Sequence, residues 1–150
     1  MRELTIVQQL CNKGIIEFNN SYCHTIARTF DGKLYCWGSN YFGVLGNGRK
    51  DELYSLKFYK PKLNQFLINK HIIEMCCGVN HSLVLIKDGE VYGWGSYGVR
   101  QIGNRKSNSW ECQLMPYFVN EFNGGKVKSI SCGFRHSLAL TESGRVYSWG

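Results

Sequence analysis

Proline is scarce, two residues in a chain of 150, against 17 glycines. Turns must then be built largely by glycine. With aromatics at 14%, the composition points to a turn-rich β protein rather than a helical bundle. Long apolar runs are missing too. No window approaches the roughly 18 consecutive apolar residues of a spanning helix, so no membrane contact is expected. The opening MRELTIVQQLCNKG is too short and too interrupted by polar residues to read as the apolar core of a secretory leader. Blocks of like charge are also lacking, and 43% hydrophobic against 19% charged residues argues against disorder. The formal charge of +7 eases contact with anions without requiring it.

Zinc-type cysteine spacing is the next absence. The seven cysteines include an adjacent pair, Cys76 and Cys77, and otherwise stand alone. Zinc sites are normally assembled from C-x₂₋₄-C pairs. No metal and no cofactor are expected. The thiols read as small apolar fillers in a reducing compartment, cytoplasmic and/or nuclear.

What the sequence does contain is a repeat. CGVNHSLVLIKDGEVYGWG (Cys77 to Gly95) returns as CGFRHSLALTESGRVYSWG (Cys132 to Gly150), with eleven of nineteen positions identical. NSYCHTIARTFDGKLYCWG (Asn20 to Gly38) is a looser copy. The spacing from His to Trp is constant: His24 to Trp37, His81 to Trp94, His136 to Trp149. Flanking segments keep the register, including Pro61 and Pro116 and the pair GSNYFGVLGN and GSYGVRQIGN. The expected units are approximately 4–60, 61–115 and 116–150, the last incomplete.

Each unit reads as short strands. Asp31-Gly32, Asp88-Gly89 and Ser143-Gly144 sit between β-rich runs, where glycine accepts the positive φ of a tight hairpin. Gly78 and Gly133 suit a bend before the His strand. A fourth strand is expected around Leu53 to Tyr59. Three or four antiparallel strands per unit describe a propeller blade.

Reactive letters recur within this pattern. His81, Ser82 and Asp88 suggest a catalytic triad, yet Ser82 becomes Thr25 in the first copy and Asp88 becomes Ser143 in the third. A triad needs mutually placed nucleophile, base and acid. A repeated, degraded set fits a structural device instead, with His and Ser hydrogen-bonding inside each blade. No catalytic residue is assigned. The motif positions Tyr35, Tyr92, Tyr147, Trp37, Trp94, Trp149, Gly38, Gly95, Ser137 and the histidines are read as architecture, the tryptophans as wedges between blades. GVLGNG (Gly43 to Gly48) lacks the Lys-Ser/Thr ending of a phosphate loop and reads as a turn. Arg49-Lys50 and Arg105-Lys106 follow the same point of their units and form a candidate basic rim, with Lys57, Lys60 and Lys62 nearby.

The string CGxxHSLxLxxxGxVYxWG, with the GxLG of Gly43 to Gly46, closely resembles the repeat of the regulator of chromosome condensation (RCC1) family. A narrower resemblance is to proteins that join such a propeller to a BTB domain. The resemblance implies an all-β, RCC1-like β-propeller, here an open arc of about two and a half four-stranded blades. Such an arc leaves strand edges bare and is expected to belong to a longer propeller or to close by association. The chain departs from the pattern at Asn20-Ser21, at Arg28 where the other units carry Leu85 and Leu140, and at Arg100 where a glycine is expected.

The leading functional reading is a non-catalytic module that binds a protein partner through its inter-repeat loops. The alternatives are a guanine-nucleotide exchange factor for a Ran-type small GTPase, implied by the resemblance, and a propeller that binds chromatin or another anion through the basic rim. Nucleic acid is the weaker partner, since no groove-reading helix or aromatic interleaving accompanies the rim.

Overall fold

The computed structural model describes residues 4–52, 55, 57–96, 98, 100–104 and 111–150. After a 3-10 turn at Gln8–Leu10, the described strands fall into three antiparallel sheets, each a simple meander. The first blade is β1 (Ile15–Asn20), β2 (His24–Thr29), β3 (Leu34–Gly38) and β4 (Tyr59–Leu63). The second is β5 (Ile72–Cys77), β6 (His81–Ile86), β7 (Val91–Ser96) and β8 (Cys112–Val119). The third holds β9 (Val127–Cys132), β10 (Ser137–Thr141) and β11 (Val146–Trp149). This is an open, partial propeller of two four-stranded blades and one three-stranded blade.

The fourth strand of the first blade differs from expectation. It runs over Tyr59–Leu63 rather than Leu53 to Tyr59. Ser55, Lys57 and Phe58 are not in a strand, and Leu53, Tyr54 and Leu56 lie outside the described residues. Pro61 lies inside this strand. An outermost strand tolerates proline because one side of its backbone has no ladder to donate to, and Pro116 occupies β8 on the same terms. The unit limits after residues 60 and 115 therefore fall inside β4 and β8.

Blades meet through their first two strands: β5 packs on β1 and β2, and β9 on β5 and β6. The core lies between sheets, and β6 shows why. In HSLVLI every residue is buried. Successive side chains on a strand face opposite sides, so Val84 and Ile86 join the cluster with Ile26, Leu34 and Met75 of the first interface. Leu83 and Leu85 join Val127, Ile130 and Ala139 of the second. In β10 only one side is covered: Ala139 is 1% exposed, whereas Leu138, the counterpart of Leu83, is 36% exposed.

Hairpin backbones add links between blades. The Ile72 N–H donates to Gly32 O at 2.9 Å, and the Val127 N–H donates to Gly89 O at 3.0 Å. These glycines have φ of 79° and 82°. A Cβ on Gly89 would also lie 2.8 Å from Lys126 Cβ, so the next blade needs the missing side chain as much as the turn does. Gly144 has the same φ of 82° but nothing within 4 Å of a Cβ.

Arg28 enters the first blade without an unpaired buried charge. It faces Glu17 across β1 and β2 in register, and its Nε donates to the Glu17 carboxylate. The equivalent Glu74 instead reaches the third blade, accepting from Ser129 Oγ at 3.0 Å and from the Ile130 N–H at 3.1 Å.

Candidate functional site

The histidine of one blade bonds to the serine of the next. His24 Nε2 lies 2.8 Å from Ser82 Oγ, and His81 Nε2 lies 3.0 Å from Ser137 Oγ. This corrects the expectation of bonds within each blade. Consecutive residues on a strand point to opposite faces, so His81 and Ser82 serve different neighbours.

The direction of the protons follows from what the hydroxyls do next. Ser137 Oγ donates to Gln101 O at 2.6 Å, and Ser82 Oγ donates to Val44 O at 3.3 Å. A hydroxyl has one proton to give, so each serine must accept from its histidine. Each imidazole thus carries a proton on Nε2, and each relay runs His N–H to Ser O–H to backbone carbonyl. Their Nδ1 atoms are buried and make no hydrogen bond among the described residues. A catalytic triad would have an acid at that nitrogen. Burial, followed by the proximity of His81, holds His24 down to about 4, which keeps it neutral.

The tryptophans use the same carbonyls. Trp94 Nε1 donates to Val44 O at 2.7 Å, and Trp149 Nε1 donates to Gln101 O at 2.9 Å. Each preceding blade therefore offers one loop carbonyl to a Ser and a Trp of the following blade. Gly46 lets this happen: a Cβ there would stand 2.8 Å from Trp94 Nε1. The loop is a turn, with the Gly46 N–H on Gly43 O at 3.0 Å. Its organiser is the buried Asn40, which accepts from the Leu45 N–H at 3.1 Å and donates to Arg49 O at 2.9 Å. Arg100 takes the place of Gly43 and adopts its left-handed backbone, φ 63° against 69°.

The remaining motif positions take related places. Trp37 is half-buried, with Phe18 set edge-on at 6.4 Å between ring centroids. His136 is exposed. Tyr35, Tyr92 and Tyr147 are half-buried in the third strands of their blades, and Tyr92 Oη donates to Glu90 at 2.9 Å. Gly38 and Gly95 lie at the ends of β3 and β7, beside the Ser39 N–H to Cys23 O and Ser96 N–H to Asn80 O bonds. Gly78 and Gly133 form the bends before His81 and His136, their N–H groups bonded to those residues' carbonyls at 2.9 Å each.

Of the basic rim, Arg49 and Lys50 are exposed, while Arg105 and Lys106 lie outside the described residues. Arg49, Lys60 and Lys62 line an open cavity of about 320 Å³ with Asn47, Tyr59 and Phe66, and no carboxylate is among its lining residues. Among the described residues no group of three or more His, Cys, Asp and Glu could hold a metal ion. No described helix is long and apolar enough to cross a membrane. Sequence reasoning missed Asn40, Glu74 and the two acceptor carbonyls. The two carbonyls' signal is their constant step of seven residues from the Trp of their own blade, Trp37 to Val44 and Trp94 to Gln101.

A meander blade tied to its neighbour by His–Ser and Trp–carbonyl bonds defines the class as an RCC1-like propeller. The regulator of chromosome condensation (RCC1) repeat matches residues 31–85, and a second profile of the same description matches residues 127–150. The chain belongs to the RCC1-repeat family. It is 34% identical over 147 residues to the human E3 ubiquitin-protein ligase HERC2, covering 97% of this chain and 3% of that one. It is 35% identical over 129 residues to the Arabidopsis thaliana ultraviolet-B receptor UVR8, covering 85% of this chain and 27% of the receptor. Yeast RCC1, Prp20, solved bound to Kap60, superposes with a TM-score of 0.78 at 30% identity, over 91% of this chain and 32% of that one. Saccharomyces cerevisiae Prp20p, solved in work on its binding to Gsp1p and histones, gives a TM-score of 0.77 at 28% identity, over 91% of this chain and 33% of that one. The chain thus spans a third or less of each of these relatives.

Proposed function

We propose that this chain is a non-catalytic protein-interaction module whose partner is a Ran-type small GTPase, engaged through the loops between blades and regulated at nucleotide exchange. The observation that carries the reading is the fate of the motif's polar groups. His24, His81, Ser82, Ser137, Trp94 and Trp149 are all bonded from blade to blade, which leaves recognition to the loops. The likeness to Prp20, a protein studied for its binding to Gsp1p, a Ran-type GTPase, supports a GTPase over an unspecified adaptor partner. Exchange needs no covalent step, only loops that displace nucleotide and magnesium and stabilise the empty GTPase. A nuclear or cytoplasmic setting accords with that role. Release of fluorescent GDP from a Ran-type GTPase tests it. Acceleration by the chain supports exchange. Binding without acceleration removes exchange and keeps the interaction module, and the absence of binding removes the GTPase.

A second reading rests on the cavity of Arg49, Lys60 and Lys62, whose cationic lining suits chromatin or another anionic partner. Binding to DNA that falls steeply with salt, and is lost on charge reversal of Arg49 and Lys50, supports it. Salt-independent or absent binding removes it.

A further inference from the structure

We propose that Cys76 and Cys132 form a peroxide-responsive disulfide that staples the second blade to the third. Their Sγ atoms lie 2.6 Å apart, inside ordinary non-bonded contact and about 0.5 Å beyond a bonded S–S distance. The two cysteines sit on the first strands of neighbouring blades, β5 and β9. Those strands are also tied by Glu74 to Ser129 Oγ and to the Ile130 N–H, so the thiols are held at bonding range by other bonds.

The first interface shows that this pair is particular to the second. There the slot equivalent to Cys76 holds Asn19, and the slot equivalent to Cys132 holds Cys77. Asn19 Oδ1 accepts the Cys77 N–H at 3.0 Å, an ordinary hydrogen bond. Cys77 does not compete for Cys132. It follows Cys76 on a strand and points to the opposite face, with its Sγ 3.9 Å from Asn19 O and 3.9 Å from Ser82 Oγ.

The two thiols differ in readiness. Burial opposes ionisation of Cys132, but Cys76, His81 and Ser137 around it outweigh burial and set its thiol below the ordinary range. Cys76 is raised, first by Cys132 and then by burial. Cys132 is the attacking sulfur. Its thiolate attacks one oxygen of hydrogen peroxide, the O–O bond breaks, and the leaving hydroxide takes a proton to become water. The sulfenic acid on Cys132 is then attacked by the Cys76 thiolate. The S–O bond breaks, and the second hydroxide leaves as water with the proton from Cys76. Two thiols and one peroxide give one disulfide and two waters, and a dithiol reductant reverses the bond.

The test is peroxide titration of the reduced 150-residue chain, followed by alkylation and peptide mapping without reductant. The expected result is a Cys76–Cys132 linked peptide that disappears on reduction, with a melting temperature that rises on oxidation and returns on reduction. Cys77→Ser should keep the link, and Cys132→Ser should lose both the link and the thermal shift. The wild-type map needs no variant to fold. Alkylation of both Cys76 and Cys132 after peroxide, or a link joining either of them to another cysteine, overturns the proposal.

Discussion

His81 of the second blade donates from Nε2 to Ser137 Oγ of the third at 3.0 Å, and Ser137 passes its own proton back to Gln101 O of the second at 2.6 Å. The relay repeats between the first and second blades through His24, Ser82 and Val44. Residues that look like chemistry are thus joints, and their contribution depends on whether a neighbouring blade is present.

The histidines should therefore differ sharply under the same substitution. His81 is fully buried, whereas His136, at the same motif position, is exposed. His81→Ala should cost about 2–4 kcal/mol through the lost bond and the cavity. His136→Ala should stay within about 0.5 kcal/mol. Urea unfolding of the two variants checks this, and equal losses would contradict it.

Hairpin glycines give a second contrast. Gly89 and Gly144 both have φ of 82°, so alanine at either carries the left-handed penalty, about 1–2 kcal/mol. Only Gly89 faces another blade, with Lys126 Cβ 2.8 Å from the added carbon. Gly89→Ala should cost a further 1–3 kcal/mol or so from the clash. Thermal melts of the two variants measure the difference.

Acid should loosen the first interface. His24 is lowered from 6.5 to about 4, by burial first and His81 second. The unfolded chain takes up its proton below about pH 6.5, while the folded chain takes it up only near pH 4. The contribution is therefore whole above pH 6.5. It is lost as pH falls towards 4, at up to about 1.4 kcal/mol per unit and roughly 3 kcal/mol in all. Denaturation midpoints at several pH values should show this slope, and His24→Gln should flatten it above the range where carboxylates titrate.

Much of this was legible in the sequence because a repeat reports its own register. The constant His-to-Trp spacing, the Asp-Gly hairpins and the two-faced HSLVLI strand mark the blades. The partners of the motif were harder to read, since the spacing within one copy is the same whether a side chain bonds inward or to the next copy. Val44 and Gln101 act through backbone carbonyls, so their side chains carry no mark of the role. The fourth strand of the first blade was misplaced because it lies in the stretch where the units vary most, and its Pro61 is tolerated only on an edge strand. Cys76 and Cys132 fall in different columns of the repeat, and only folding brings them together.

Trp94→Phe isolates the indole bond. It keeps most of the buried ring but removes the donor to Val44 O, and should cost about 1–2 kcal/mol. If the loss comes from that bond, Gly46→Ala, which pushes on the same indole nitrogen, should destabilise less in the Trp94→Phe background than in the wild type. Additive losses would place the indole bond outside the blade junction.

The most direct measurement is a double-mutant cycle on His81→Ala and Ser137→Ala, read by equilibrium unfolding. If the two side chains form one joint between blades, the double variant should lose less than the sum of the single losses, with a coupling of about 1 kcal/mol or more. Simple additivity would mean that His81 and Ser137 stabilise their blades separately, and the blade-to-blade relay would be wrong.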